Sequence, residues 1–209
     1  MTVEAALTAL LRAIADGDGE QARSLARGRP ELAWSAAGEG ATRQSAAAHF
    51  LEGIRHYVYA GDTALHIAAA AHDAALAKFL LGLGADPRAR NRHGAEPLHY
   101  AADGAPGLAG WDPGAQAATI ACLIGAGADP SAADRRGVTP LHRAVRTRSA
   151  AAVRALLEGG ADLRRPNRNG STPLALAGRT TGRSGSGLAE AKAQLPEIVR
   201  LLAHHGAGE

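Results

Sequence analysis

Three histidines, His66, His99 and His142, recur at one position of a repeated four-residue motif and are the first candidates for chemistry. Imidazole rings bind metal ions and transfer protons near neutral pH. A regular step along the chain, however, distributes these rings over successive structural units instead of bringing them together. We therefore predict that each imidazole bonds the neighbouring Thr hydroxyl or the loop backbone and ties adjacent units together, and we expect no metal site.

The other reactive side chains lack a context that supports catalysis. His204 and His205 are adjacent, and neighbours on a helix face different directions, so they do not form a pair of metal ligands. Cys122 lies in an apolar segment, which is typical of a small buried side chain. The segment 178–184 has the glycines of a phosphate-binding loop but lacks its lysine and the preceding strand, so we interpret it as a Gly/Ser loop. We expect no catalytic residue and no cofactor.

Three sequence motifs share one step along the chain and indicate an internal repeat. The first motif, related to TPLH, starts at Thr63, Glu96, Thr139 and Thr172, which gives steps of 33, 43 and 33 residues. The second motif, GAD, starts at Gly84, Gly127 and Gly160. A glycine also stands two residues before each TPLH-like motif, at positions 61, 94, 137 and 170.

Each repeat unit has the pattern of two helices and a turn. Thr139 is a helix N-cap candidate, followed by a proline that suits the first helical turn. A second helix is predicted over residues 150–158, and Gly160 is able to end it with a positive φ. The polar stretch 162–170 has the composition of a turn. Trp34, which follows the first predicted helix pair, is expected in the core.

The pattern resembles the ankyrin-repeat family, whose signature combines the TPLH and GAD motifs with a step of 33 residues. Four copies are plain, and a fifth, degenerate copy lies at the N-terminus. The resemblance implies an all-α fold, an ankyrin-repeat solenoid of helix-turn-helix units in which β-turn or hairpin "fingers" join successive repeats on one side. The residues carrying the repeat motif are Thr63, His66, His99, Thr139, His142, Thr172, Gly84, Gly127 and Gly160.

We expect a single domain over residues 1–209, divided into repeats and insertions. The expected repeats span residues 2–36, 61–93, 94–136, 137–169 and 170–208, and the expected insertions span 37–60, 104–115 and 178–190. The first insertion is expected on the finger side, and the other two at the edge opposite the fingers, because both join a first helix to a second one.

Aromatic side chains distinguish the first two insertions. Phe50, Ile54 and Tyr57 have the spacing of a short amphipathic helix. This insertion either docks onto the repeats or offers its tyrosines as aromatic anchors for a partner. Trp111 in the second insertion is either an anchor or a cover for a gap between helices.

The positive charge is concentrated in the middle repeats. The chain has a net charge of +3, whereas residues 88–170 hold twelve arginines and seven acidic residues and carry +5. Fingers stacked at a fixed step would align their arginines in one stripe, which attracts an acidic partner. The alternative stays open that the arginines form a merely solvated surface and reflect GC-rich coding DNA, since only Lys78 and Lys192 are lysines.

We predict a non-catalytic protein-interaction module, bacterial and cytoplasmic, that binds a partner of acidic character through the fingers and the adjoining first helices. The candidate contact residues are Arg88, Arg90, Arg92, Arg135, Arg136, Arg143, Arg146, Arg164, Arg165, Arg168, Tyr57, Tyr59 and Trp111, with Arg148 beside them.

Two alternative functions remain open. One is nucleic-acid binding by the same arginines, which scarce lysines and few stacking aromatics disfavour. The other is a protective or immunity role for an enzyme encoded nearby. With 46% hydrophobic residues and one cysteine, we expect a globular chain without an internal disulfide. We also expect no signal peptide, no membrane span and a monomer capped by its degenerate end repeats.

Overall fold

The computed structural model describes residues 2–178 and 188–206, which are mostly helical. The α-helices in these residues are α1 (Val3–Ala15), α2 (Gly19–Gly28), α3 (Ala64–Ala70), α4 (Ala74–Gly82), α5 (Pro97–Ala101), α6 (Pro113–Gly125), α7 (Pro140–Thr147), α8 (Ala150–Glu158), α9 (Pro173–Ala177), α10 (Ala189–Ala193) and α11 (Leu195–Gly206). Short 3₁₀ helices span Pro30–Ala33, Ala47–His49 and Glu52–Ile54, and two strands span Phe50–Leu51 (β1) and His56–Tyr57 (β2). None of the described helices is long and apolar enough to cross a membrane.

The first and second helices of each unit pack against each other, and each unit packs against the next. The contacting pairs within units are α1 with α2, α3 with α4, α5 with α6, α7 with α8, and α9 with α11. The first helices α1, α3, α5, α7 and α9 also contact one another in that order, and so do the second helices α2, α4, α6, α8 and α11. Contacts between elements distant in sequence therefore arise from neighbouring units.

One repeat shows why the chain folds into these elements. Thr139 caps α7, since its hydroxyl accepts from the backbone N–H of His142 at 3.4 Å. Ser149 caps α8 in the same way, accepting from the N–H of Ala152 at 3.2 Å. Gly160 follows α8 with a φ of +86°, a conformation that glycine adopts without a steric penalty. The structure thus places α8 at the residues that the sequence predicts.

The amphipathic helix predicted around Phe50 is wrong. The segment forms an antiparallel β-hairpin in which Phe50 pairs with Tyr57, and the two rings lie 4.7 Å apart. The spacing of seven residues therefore reflects a cross-strand pair and not two helical turns. Gly53 at the tip weakens helix formation, and a Cβ at this position would overlap the carbonyl oxygen of Ala15 at the end of α1.

The sequence predicts the first insertion on the finger side, but the insertion is not confined to that side. It begins and ends there, because Ala37 N–H donates to Asp62 at 2.8 Å, next to the start of α3. Its hairpin, however, extends along the first helices until Gly53 meets Ala15. Leu51 and the adjoining Val58 are buried, so the insertion docks onto the repeats through apolar contacts.

Trp34 does not lie in the core, since 54% of it is exposed. Its ring lies beside Gly84, which has no side chain to cover it. The second insertion lies beyond α5, where Gly104 N–H donates to the hydroxyl of Thr147 at the end of α7 at 3.2 Å. Most of the expected third insertion, residues 179–187, lies outside the described residues.

The leucine that stands two residues after each N-cap shows how far neighbouring units bury each first helix. Leu65, Leu98 and Leu141 are fully buried, whereas the equivalent Leu174 is 45% exposed. The first three each lie between two neighbouring units, but within residues 2–178 and 188–206 no unit covers the outer side of α9. Burial at this position therefore depends on stacking and not on the motif itself.

Candidate functional site

Each of the fingers, residues 84–95, 127–138 and 160–171, is joined to the segment before it by a backbone hydrogen bond, and for the second and third fingers that segment is the preceding finger. Arg92 N–H donates to the carbonyl oxygen of Ala60 at 2.8 Å, Arg135 N–H to that of His93 at 2.9 Å, and Arg168 N–H to that of Arg136 at 3.0 Å. The three donors occupy equivalent positions in successive repeats. Their backbones are therefore aligned, although their side chains have different surroundings.

One side chain in each finger stabilises the turn from inside, a role that we did not predict from the sequence. The side-chain Oδ1 of Asn91, Asp134 or Asn167 accepts two backbone N–H groups of its own finger, at 2.7–3.1 Å. Such Asx turns hold the loop without help from neighbouring repeats. The signal was present in the sequence, because these residues follow the same steps as the TPLH motif.

Four of the candidate arginines are exposed and unengaged. Within the described part of the chain, these four side chains make no hydrogen bond and no ion pair: Arg88, Arg135, Arg136 and Arg168. An exposed guanidinium keeps its full capacity to pair with carboxylates or phosphates. These four residues form the part of the finger surface that is available to a charged partner.

Other finger arginines are already engaged within the chain. Arg90 pairs with Glu96, with Nη2 and Oε1 2.9 Å apart. Burial raises the pKa of Glu96, and Arg90 opposes that rise. Arg92 turns back to the first insertion, where it bonds the carbonyl of Ala41 and lies 5.3 Å from the centre of the Tyr59 ring. These contacts make Arg90 and Arg92 parts of the frame.

The third finger has two arginines with backbone partners. Arg165 donates to the carbonyl of Ser131 in the preceding finger at 2.9 Å, and Arg164 donates to Gly206 at 3.5 Å. Both side chains remain exposed. Their guanidinium groups therefore combine a local contact with access to solvent.

The arginines of α7 surround one carboxylate. Arg143 binds Asp103 at 2.7 Å, and Arg146 approaches the same carboxylate at 3.4 Å. Burial alone would raise the pKa of Asp103, but the two arginines outweigh it and lower the pKa. Arg143 is largely buried and Arg148 is only 7% exposed at the left-handed end of α7. The expectation that Arg148 joins an exposed stripe is therefore wrong. Arg143 lies mostly beneath the surface that the exposed arginines form.

The three recurring histidines each bridge two repeats. Nδ1 accepts the backbone N–H of the residue that starts the motif, and Nε2 donates to a carbonyl in the following finger. The distances are 3.1 Å to Thr63 and 3.2 Å to Ala95 for His66, 3.1 Å to both Glu96 and Val138 for His99, and 3.2 Å to Thr139 and 2.9 Å to Ser171 for His142. Burial lowers the pKa of all three rings, that of His99 to about 3 with Arg143 adding to the effect. The rings are therefore neutral at pH 7.

A buried polar network, which the sequence did not predict, lies beneath the first finger. Asp62 is fully buried and accepts from the Tyr100 hydroxyl at 3.0 Å and the Asn91 amide at 2.9 Å. The ring of His56, from β2, lies edge-on to Tyr100 with centroids 4.4 Å apart. Burial and Asp62 raise the pKa of Tyr100. The network fastens the hairpin to the repeats, and no repeated motif marks Asp62.

The aromatic candidates have three different environments. Tyr57 is 38% exposed and contacts Phe50 in its own hairpin. Tyr59 is half-buried and meets the His93 ring edge-on, with centroids 4.7 Å apart. Trp111 is half-buried, and its indole N–H donates to Gln116 at 3.1 Å. Only Tyr59 directly joins the insertion to a finger.

The environments of the remaining reactive groups do not favour a nucleophile or a metal site. Cys122 is partly buried, its thiol lies 3.8 Å from the carbonyl of Ala74, and burial raises its pKa. A raised pKa keeps the thiol protonated and unreactive. In residues 2–178 and 188–206, no group of three or more His, Cys, Asp or Glu side chains is placed to hold a metal ion.

The fold and this surface define a class of protein, in which stacked helix pairs present finger loops at one edge. Residues 52–104 and 123–177 match the family model described as ankyrin repeats (many copies), and together they make up just over half of the chain. The chain therefore belongs to the ankyrin-repeat family. No curated protein matches it. Ankyrin repeats are generally protein–protein interaction modules, and the match indicates no enzyme family.

Proposed function

We propose that this ankyrin-repeat chain is a non-catalytic interaction module that recognises an acidic protein surface through its fingers. The observation that carries the proposal is the set of exposed arginines without a side-chain partner among the described residues: Arg88, Arg135, Arg136 and Arg168. They stand on fingers whose backbones are bonded to one another, so their spacing is constrained. A rigid array of like charges accelerates encounter with a partner of opposite charge and determines its orientation.

The adjoining first helix supports the proposal. Arg146 is exposed on α7, and its contact with Asp103, at 3.4 Å, is longer than the 2.7 Å contact of Arg143. An incoming carboxylate can therefore recruit Arg146 while Arg143 keeps Asp103 neutralised. Finger and helix arginines would then act together on one side of the molecule.

The proposal extends to the architecture of the whole chain. We propose one continuous ankyrin solenoid with the repeat and insertion boundaries given above, acting as a monomer in the cytoplasm. The sequential contacts from α1 to α9 and from α2 to α11 support the continuity. The exposed Leu174 supports a specialised final repeat.

A pull-down from the cytosol of the source organism tests the proposal. The test variant is Arg135→Glu/Arg136→Glu, and the matched control is Arg12→Glu/Arg43→Glu, which makes the same change in net charge at exposed residues outside the fingers. We expect the wild type and the control to capture a protein that the test variant loses. The capture should survive nuclease and weaken with salt.

Equal capture by the test variant would contradict the role of the fingers. Capture that disappears after nuclease treatment would instead identify nucleic acid as the bound molecule. Circular dichroism of both variants checks that the fold is intact, because all four substituted side chains are exposed.

A further inference from the structure

Two adjoining cavities lie where the insertions meet the first helices. The first, of about 430 Å³, lies between the hairpin and the fingers, and the second, of about 600 Å³, lies between the hairpin tip and the second insertion. His56, Tyr100 and Asp103 line both, so the cavities form two parts of one cleft. Each volume falls within the range of ordinary ligand sites. The insertions build much of the wall, so the repeat frame alone does not explain this cleft.

The first cavity is suited to an anionic group. Four arginines line it, against two aspartates: Arg135, Arg136, Arg143 and Arg146 against Asp103 and Asp134. Arg143 satisfies Asp103 and lies 4.0 Å from Asp134, which leaves Arg135 and Arg136 without an acidic partner in the described residues. Burial lowers the pKa of His93 in the same wall, and Arg92 and Arg136 lower it further. With four arginines and two aspartates, the wall of this cavity carries a net positive charge.

The second cavity is suited to a large apolar side chain. Its lining includes Trp111, Leu108 and Ile54, and Leu108 is 38% exposed. The Trp111 ring is held in place because its N–H donates to Gln116, whose own amide donates to the carbonyl of Ala101 at 2.9 Å. A pre-oriented aromatic face loses little entropy when a partner side chain packs on it.

Two polar atoms at the second cavity have no partner. His56 and His72 line the cavity, and the Nε2 atom of each is buried without a hydrogen bond. Buried polar atoms normally have partners, so leaving these two unpaired is unfavourable. The backbone of a bound peptide supplies both hydrogen-bond donors and acceptors. A bound segment would reach these atoms only if the two rings turned towards the cavity, because neither Nε2 is accessible to solvent.

The length of the cleft sets the spacing of the two anchors. Helix α5 and the two residues after it, 97–103, separate the finger end of the cleft from the second insertion. These seven residues, of which the five of α5 are helical, span about 10 Å, and an extended peptide covers about 3.3 Å per residue. The two anchors of a bound peptide should thus be about three positions apart.

We propose that the cleft receives an extended acidic segment of the partner, with a carboxylate at Arg135 and Arg136 and a large apolar side chain against Trp111. This inference rests on the proposed function and assigns its binding site. Because the insertions line the cleft, they would determine which partner is selected, while the repeats supply the rigid support.

Selection from a phage-displayed library of random peptides tests the cleft. On the wild type we expect enrichment of Asp or Glu with Leu, Phe or Trp about three positions away. Arg135→Glu/Arg136→Glu should lose the acidic preference, and Leu108→Asp should lose the apolar one. The control variant Arg12→Glu/Arg43→Glu should select the wild-type pattern.

Titration of one enriched peptide, labelled with fluorescein, measures how much each anchor contributes to the dissociation constant. We expect its dissociation constant to rise at least about tenfold when either anchor of the peptide is replaced, or when Trp111→Ser or Leu108→Asp is introduced. Trp111→Ser should fold, because Gln116 still accepts from the Ser149 hydroxyl at 2.7 Å. Leu108→Asp changes an exposed loop side chain and provides a second, independent variant.

The outcomes separate this inference from the proposed function. Enriched acidic peptides that ignore Trp111 and Leu108 would overturn the cleft but leave the fingers as the binding surface. Apolar peptides that ignore the arginines would overturn the acidic specificity. A selection that enriches no peptide would refute an extended segment as the occupant, and the pull-down would then decide the role of the fingers alone.

Discussion

His66, His99 and His142 show how one residue type links the local and the long-range structure. Each ring accepts a hydrogen bond from the start of its own helix and donates one to the next finger. A protonated ring would lose the acceptor at Nδ1 and would bury a charge. The same bonds that order the fingers therefore depend on the neutral form of the imidazole.

This dependence predicts that the protein is destabilised by mild acid. The three rings have folded-state pKa values below their unfolded value of 6.5, that of His99 being about 3. Their contribution is present above pH 6.5 and is lost as the pH falls towards the folded-state pKa, because the unfolded chain binds the protons first. For His99, whose window reaches down to about pH 3, the free energy of unfolding should fall by about 1.4 kcal/mol per pH unit below pH 6.5, and His66 and His142 should add losses of the same sign.

Urea unfolding of the wild type and His99→Gln between pH 7.5 and pH 4.5 measures this effect. The variant should be less stable at pH 7.5. Its free energy of unfolding should fall less steeply with decreasing pH, because the contribution of His99 to that slope is removed. A wild-type stability that does not change over this range would refute the neutral-ring account.

At the scale of elements, the hairpin of the first insertion decides how the first helices are covered. Its strands β1 and β2 are only two residues each, so its own hydrogen bonds are too few to stabilise it alone. Its position depends on the contact of Gly53 with α1 and on the packing of Tyr100 against His56. Docking, not local propensity, therefore explains why this segment is ordered.

Gly53→Ala should weaken that docking, because the added methyl group meets the backbone of α1. We expect a loss of about 1–3 kcal/mol in the free energy of unfolding. The matched control is Gly125→Ala at the end of α6, where a Cβ meets nothing within 4 Å. That change should stabilise the protein by up to about 1 kcal/mol. Urea unfolding measures both, and equal effects would contradict the close approach.

At the scale of the whole molecule, stacking makes equivalent residues unequal. Leu141 is buried between units, whereas Leu174 at the same motif position is 45% exposed. A repeat protein gains stability from each interface between neighbours. Its end units have one such interface instead of two, so a substitution there costs less free energy of unfolding. The finger surface depends on the same stacking, because each finger donates a backbone N–H to the segment before it.

Leu141→Ala should cost about 2–5 kcal/mol in the free energy of unfolding, because it leaves a cavity inside the stack. Leu174→Ala removes the same atoms from a half-exposed site and should cost about 1 kcal/mol or less. Urea or thermal unfolding compares the two variants directly. Similar losses would show that the C-terminal unit is covered as fully as the inner ones.

Much of the repeat frame was predictable, because its signals are local and recur. The positive-φ glycines such as Gly160 and the N-caps such as Thr139 act within a few residues of themselves, so their pattern is visible in the chain. The Asx residues of the fingers recur at the same steps, so their role was also visible in the chain. The insertions gave no such signal, and the helix predicted around Phe50 proved to be a hairpin because cross-strand and helical spacings coincide there.

The sequence by itself determined the family, the repeat step and the excess of arginines in the fingers. Only the tertiary structure decided which arginines are free. Arg92 and Arg143 are drawn into contacts with Ala41 and Asp103, residues 51 and 40 positions away, whereas Arg135 and Arg136 are not. The contact with Ala41 depends on where the first insertion docks, and the contact with Asp103 depends on how α5 and α7 stack. Both follow from shape and burial across the whole stack, which no local pattern encodes.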